Sequence, residues 1–199
     1  PKPYMFSISR TNVENTDSCI VFYDNAGEHF LPNHSRAEDF HILHVAKASV
    51  LFFLYDPLVN IDVRHALVNV ESDQLELETV PDMQATILSQ MNVKISRALG
   101  KPTAQKLDAP LAVVVGKCDI WHSLVPDWKK IVDPTGKDNV LNHRAIDSNS
   151  AIISGFLNEY SPEIVATVER MSRTVRYFPV SAFGHKPKEH VFKDSEGRE

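Results

Sequence analysis

With 199 residues, the chain can bury one sizeable core and is short for two domains. Its 43% hydrophobic and 24% charged residues are ordinary for a globular protein, and a formal charge of -5 gives no electrostatic reason to expect nucleic acid or an anionic membrane as partner. The sequence shows no secretory leader pattern and no apolar run near the roughly 18 residues that span a bilayer. Its 2 cysteines are too few for a disulfide framework, so a cytoplasmic setting is expected.

Short apolar runs alternate with stretches of helical period along the chain. The first two runs, Tyr4 to Ile8 and Cys19 to Tyr23, flank a turn-like segment from Asn12 to Asp17 and predict a hairpin. Ser35-Arg36-Ala37-Glu38 reads as a capping box that opens a helix to about Ala46. Val50 to Tyr55 is a solid apolar block, as expected of a strand covered on both faces. Thr79-Val80-Pro81-Asp82 then opens what reads as the longest helix. Its apolar face recurs at Met83, Ile87, Met91 and Ile95, and Gly100 stops it. A fourth run, Leu111 to Val115, is followed by Trp121 to Asn142, which reads as a long loop. Ile152, Ile153, Phe156 and Leu157 mark another helix, and Ser161-Pro162-Glu163 opens a further one with proline at its first position. The last run is Val175 to Val180, and residues 185–199 form a polar tail. This alternation predicts an α/β fold: a mostly parallel sheet in three layers, with helices on both faces.

Ligands of open α/β sheets bind beyond the carboxyl ends of the strands. Three strand ends carry suggestive residues: Asp24-Asn25-Ala26-Gly27-Glu28, Gly116-Lys117-Cys118-Asp119 and Ser181-Ala182-Phe183-Gly184. Each alone is compatible with plain turn chemistry. In this order and at these places, the set resembles three motifs of the P-loop GTPases of the translation-factor and Ras-like class. Asp24-x-Ala26-Gly27 is similar to their switch motif, Lys117-x-Asp119 to their base-recognition motif, and Ser181-Ala182 to their Ser-Ala loop. The block ending Tyr55-Asp56-Pro57 resembles the strand after the switch helix. The likeness spans roughly Tyr4 to Gly184 and implies a GTPase-like domain over residues 1–184, and Asp24 to Asp56 looks nearest to bacterial GTPase-like domains of defence or signalling systems.

The resemblance implies a site that binds guanine nucleotide with Mg²⁺ and hydrolyses GTP in the intact protein, as a switch acting on a protein partner or an adjacent domain. In that reading Asp119 accepts hydrogen bonds from the guanine N1 and exocyclic amine, the Lys117 stem lies across the base, and the backbone N–H of Ala182, beside Ser181, meets the guanine carbonyl. Asp24 holds Mg²⁺ through a water, and the Gly27 N–H touches the terminal phosphate. Glu28 stands where many members have the glutamine that orients water, and a carboxylate cannot donate the amide hydrogen bond. Two departures stand out. Gly116 replaces the usual asparagine or threonine, and no Gly-x-x-x-x-Gly-Lys-Ser/Thr occurs in the sequence. That loop, with its strand and helix, is expected upstream of Pro1, so the chain alone is expected to be inactive. The alternatives are a pseudo-GTPase scaffold without turnover, and an unrelated doubly wound domain of receiver or flavin-binding type. His29, His34, His41 and His44 raise a metal site, but a solvated or partly packed helix face explains His41 and His44 as well.

Overall fold

A computed structural model describes residues 3–8, 18–24, 27–30, 40–76, 82–135, 140–182 and 184. Its elements in chain order are β1 (Pro3–Ile8), β2 (Ser18–Tyr23), α1 (Phe40–Ala46), β3 (Leu51–Tyr55), α2 (Ile61–Ala66), α3 (Asp73–Glu76), α4 (Gln84–Ala98), β4 (Leu111–Val115), α5 (Cys118–Trp121), α6 (His143–Tyr160), α7 (Pro162–Met171) and β5 (Val175–Pro179). The five apolar runs are the five strands among the described residues. The first two form the predicted hairpin, antiparallel, with Pro3 opposite Tyr23 and Ile8 opposite Ser18. The other three form one parallel sheet in the order β3–β4–β5. The chain is thus α/β, as the alternation of runs and helices predicts.

Strand burial departs from the solid-block reading. β4, flanked by strands on both sides, is almost wholly buried, whereas β3 alternates. Leu51, Phe53 and Tyr55 are buried; Phe52 and Leu54 are 55% and 73% exposed. An apolar block therefore marked a strand correctly without marking two covered faces.

The chain divides into two compact units, with the boundary falling inside β3, β4 and β5. In the first, α4 packs against α1, against α7 and against a short 3-10 turn at Gly27–Phe30. Leu88, Met91 and Ile95 are the buried face of α4, and Ile164, Val165, Val168 and Met171 that of α7. The helix starts at Gln84, later than the sequence suggests, behind Met83, which offers no side-chain cap. Met83 heads the apolar stripe in sequence but stands exposed, because it precedes the first helical turn. Gly100, with φ of 63°, ends the helix. Its N–H reaches the Arg97 carbonyl at 3.1 Å and that of Lys101 reaches Ser96 at 2.9 Å. This is the paired closure that a left-handed glycine permits. The capping box at Ser35–Glu38 and the expected start at Thr79–Pro81 lie outside the described residues.

In the second unit, α6 is the longest described helix at 18 residues, exceeding the 15 of α4. The sequence reading reverses that order because the apolar period shows only in the C-terminal half of α6. Asn142 caps α6 by accepting from Ala145 N–H at 3.2 Å. Ile153, Phe156 and Leu157 are its buried side. The segment read as a loop after Trp121 is partly ordered, with 3-10 turns at His122–Leu124 and Trp128–Lys130. Trp121, fully buried, stacks on Phe156 at 4.5 Å and 8° and meets Trp128 edge-on at 5.8 Å. No described helix is long and apolar enough to cross a membrane.

Candidate functional site at the ends of the parallel strands

The three parallel strands end in Asp56, Gly116–Asp119 and Val180–Ala182, all within the second unit. Backbone hydrogen bonds hold these ends together. Gly116 N–H donates to the Tyr55 carbonyl at 2.9 Å, and Val180 N–H to the Val115 carbonyl at 2.9 Å. Cys118 N–H then donates to the Val180 carbonyl at 3.0 Å, one residue before Ser181. The Lys117-x-Asp119 segment and the Ser181-Ala182 segment are thereby neighbours. Ser181 closes its own turn, its Oγ accepting from Gly184 N–H at 2.8 Å.

Lys117 has φ of 58° and ψ of 35°, the only non-glycine described residue in the left-handed region. A Cβ makes that conformation unfavourable, so the loop holds it against a local preference. Its ammonium lies 2.7 Å from Asp56 Oδ2, and both side chains are about one-third exposed. Below the loop, Trp121 Nε1–H donates to the Gly116 carbonyl at 2.6 Å. Gly116 itself packs close to the neighbouring strand: a Cβ there would meet the Tyr55 carbonyl at 3.6 Å, an ordinary contact, so space does not require glycine. Asp119 is half-buried, and its carbonyl faces His122 Nδ1 at 3.1 Å. Burial, and then the neighbouring Asp119 carboxylate, push the Cys118 thiol above the usual range. Both effects disfavour the thiolate, the reactive form of the group.

Asp24, Gly27 and Glu28 belong to the first unit. Asp24 is exposed just after β2, and Gly27 opens the 3-10 turn that packs on α4. A Cβ on Gly27 would come within 3.1 Å of Ile87 Cδ1. Glu28 lies in the same turn; its side chain, like Asn25 and Ala26, is outside the described residues. His44 stacks on Tyr23 at 4.4 Å, a packed helix-face role. His34 and the side chains of His29 and His41 lie outside the described residues, and among those described no group of three or more His, Cys, Asp or Glu could hold a metal.

Two surface depressions, of about 830 and about 470 Å³, lie elsewhere in the second unit. The first is lined by α2 and α3, including Arg64, His65 and Glu71. The second is lined by Trp128, Val132, Asn149 and residues up to Val180. Neither includes Lys117 or Asp119. The bonded loop cluster is the stronger candidate, because it concentrates charged side chains and a strained backbone at the strand ends where α/β sheets place ligands. Sequence reasoning did not assign Asp56 to it, although the strand-ending Tyr-Asp-Pro was a visible signal. No protein-family model, curated protein or solved structure matches the chain.

Proposed function

We propose that this domain recognises a guanine base with the loops after β4 and β5, as the base-reading part of a GTPase-type site. The observation that carries the reading is the Cys118 N–H to Val180 carbonyl bond, which sets Lys117-x-Asp119 beside Ser181-Ala182. Guanine presents two adjacent donors, N1–H and the exocyclic amine, and an adjacent carbonyl. A carboxylate accepts both donors, and a backbone N–H such as that of Ala182 meets the carbonyl. Adenine lacks this donor pair, so Asp119 sets base choice. The four-carbon stem of Lys117 offers an apolar surface to one face of the ring.

The roles that the resemblance implies for phosphate and metal fall on residues of the first unit and are proposed of that unit by itself. Asp24, an exposed carboxylate after β2, offers the hard oxygen that Mg²⁺ prefers, through a retained water. Gly27 N–H would approach the terminal phosphate and Glu28 the attacking water. With no Gly-x-x-x-x-Gly-Lys-Ser/Thr in the sequence, the phosphate cradle would come from outside these residues. When bound, Mg²⁺ would neutralise charge on the phosphates as GTP is hydrolysed in the intact protein, which would then act as a regulatory switch.

A second reading, an interaction scaffold of the same fold without turnover, is favoured by the hairpin. Tyr4, Met5, Phe6, Ile20 and Phe22 are all exposed on it, an apolar surface of the kind that marks protein contacts. Calorimetry on the full-length protein with Mg²⁺ separates the two. Tight GTP binding, weak ATP binding and loss of the difference in Asp119→Asn support base recognition. Equal or absent binding of both nucleotides refutes it and leaves the scaffold.

A further inference from the structure

Asp56 ends β3 and is committed at both carboxylate oxygens. Oδ1 accepts from Leu58 N–H at 3.0 Å, closing the turn after the strand, and Oδ2 takes the Lys117 ammonium at 2.7 Å. The turn is itself anchored. Pro57 and Leu58 are buried, and Asn60 donates to the Tyr160 carbonyl at 3.0 Å while capping α2. Just before it, the Tyr55 hydroxyl meets Ser161 in the core. The carboxylate is therefore a fixed point, not a mobile surface charge.

Lysine has a long stem and many rotamers, and at position 117 its backbone is already in an unfavourable left-handed state. Tethering the ammonium restricts that rotameric freedom before any ligand arrives. What remains is a stem stretched between the end of β4 and the end of β3, with its methylene flank available. Ordering a side chain in advance improves affinity by lowering the entropic cost of binding.

We propose that Asp56 is a positioning residue for the base site: it holds Lys117 Nζ so that the lysine stem is pre-set as the surface on which the purine stacks. The inference rests on the base-recognition reading above and assigns Asp56 a role that does not depend on which purine is read. Asp56 acts through Lys117 alone, and Asp119 discriminates guanine independently.

The test is a double-mutant cycle on the full-length protein, reading GDP, IDP and ADP affinity for wild type, Asp56→Asn, Lys117→Ala and the double variant. Asparagine keeps the acceptor for Leu58 N–H and removes the charge; Asp56→Ser serves the same purpose if the asparagine variant does not fold. The expected result is GDP binding weakened about fivefold by Asp56→Asn, with no further loss when Lys117 is already alanine. IDP, which lacks the exocyclic amine, should weaken by the same factor as GDP. A loss that adds to Lys117→Ala, or no loss, overturns the role of Asp56 while leaving base recognition standing. Wild type that binds GDP and ADP alike refutes the base site itself, and this inference with it.

Discussion

The hydroxyls of Tyr55 and Ser161 lie 2.5 Å apart in the core, though the residues are 106 positions apart in the chain. Asn60 Nδ2 also donates to the Ser161 Oγ, at 3.2 Å. One small side chain at the start of α7 thus ties the end of β3 to the cap of α2. Removing Ser161 withdraws a partner from the buried Tyr55 hydroxyl and from the part-buried Asn60 amide, which keeps the Tyr160 carbonyl, whereas removing the Tyr55 hydroxyl leaves Ser161 still bonded to Asn60. Ser161→Ala should cost about 1–3 kcal/mol and Tyr55→Phe about 1 kcal/mol, read by urea unfolding. If Tyr55→Phe proves the more costly, the bond to Ser161 is not what matters at this site.

At Lys117 the usual ranking of alanine over glycine should reverse. The left-handed backbone costs any residue with a Cβ about 1–2 kcal/mol, and both substitutions give up the Asp56 ion pair equally. Lys117→Gly should therefore be more stable than Lys117→Ala by about 1 kcal/mol. Thermal unfolding of the two variants side by side decides it; equal midpoints would mean the loop relaxes out of the left-handed state without its lysine.

Trp121 connects packing to the site. Its ring is fully buried against Phe156, and its indole N–H donates to the carbonyl of Gly116, the residue before Lys117. Phenylalanine keeps much of the stacking and drops the donor, leaving a part-buried carbonyl short of a partner. Trp121→Phe should cost about 2 kcal/mol and, if the loop reads guanine as proposed, should weaken guanine-nucleotide binding beyond what Phe156→Leu does at similar stability loss. Matching losses in affinity for the two variants would show that the Gly116 bond has no special bearing on the loop.

Much of this was legible in the sequence. The five apolar runs located the strands to within a residue at each end, since β-rich blocks bounded by turn residues leave few other choices. Gly100 and Pro162 marked helix boundaries through backbone chemistry that depends on one residue each. Asp119 and Ser181 were picked out by position at strand ends. What the sequence did not carry was pairwise. Asp56 and Lys117 are each unremarkable alone, and only the neighbouring of β3 and β4 brings them within 2.7 Å. The exposure of Phe52 and Leu54 is likewise a property of what packs on a face, which a run of apolar residues does not encode. Trp121 fell in a stretch read as loop because Pro, Asp and Lys around it hid a single aromatic anchor.

Cys118 offers a chemical readout of the same loop. Burial and the adjacent Asp119 carboxylate both disfavour its thiolate, so its pKa is raised in the folded state. The sign follows. Below the ordinary thiol pKa the group is protonated whether folded or not, and folding is unaffected by its titration. As pH rises above that value the unfolded chain loses the proton first, so the stability this group allows is lost through the raised folded pKa. In a Cys19→Ser background, alkylation of Cys118 by iodoacetamide at pH 8 should be slower than in the urea-unfolded chain. Asp119→Asn, which removes the neighbouring charge, should speed it by about twofold to fivefold. If the loop binds guanine nucleotide as proposed, GDP should slow alkylation in the background protein and have no effect once Asp119 is asparagine. A folded thiol that reacts as fast as the unfolded one would contradict the partial burial of Cys118, and protection by ADP equal to that by GDP would contradict base recognition by the loop.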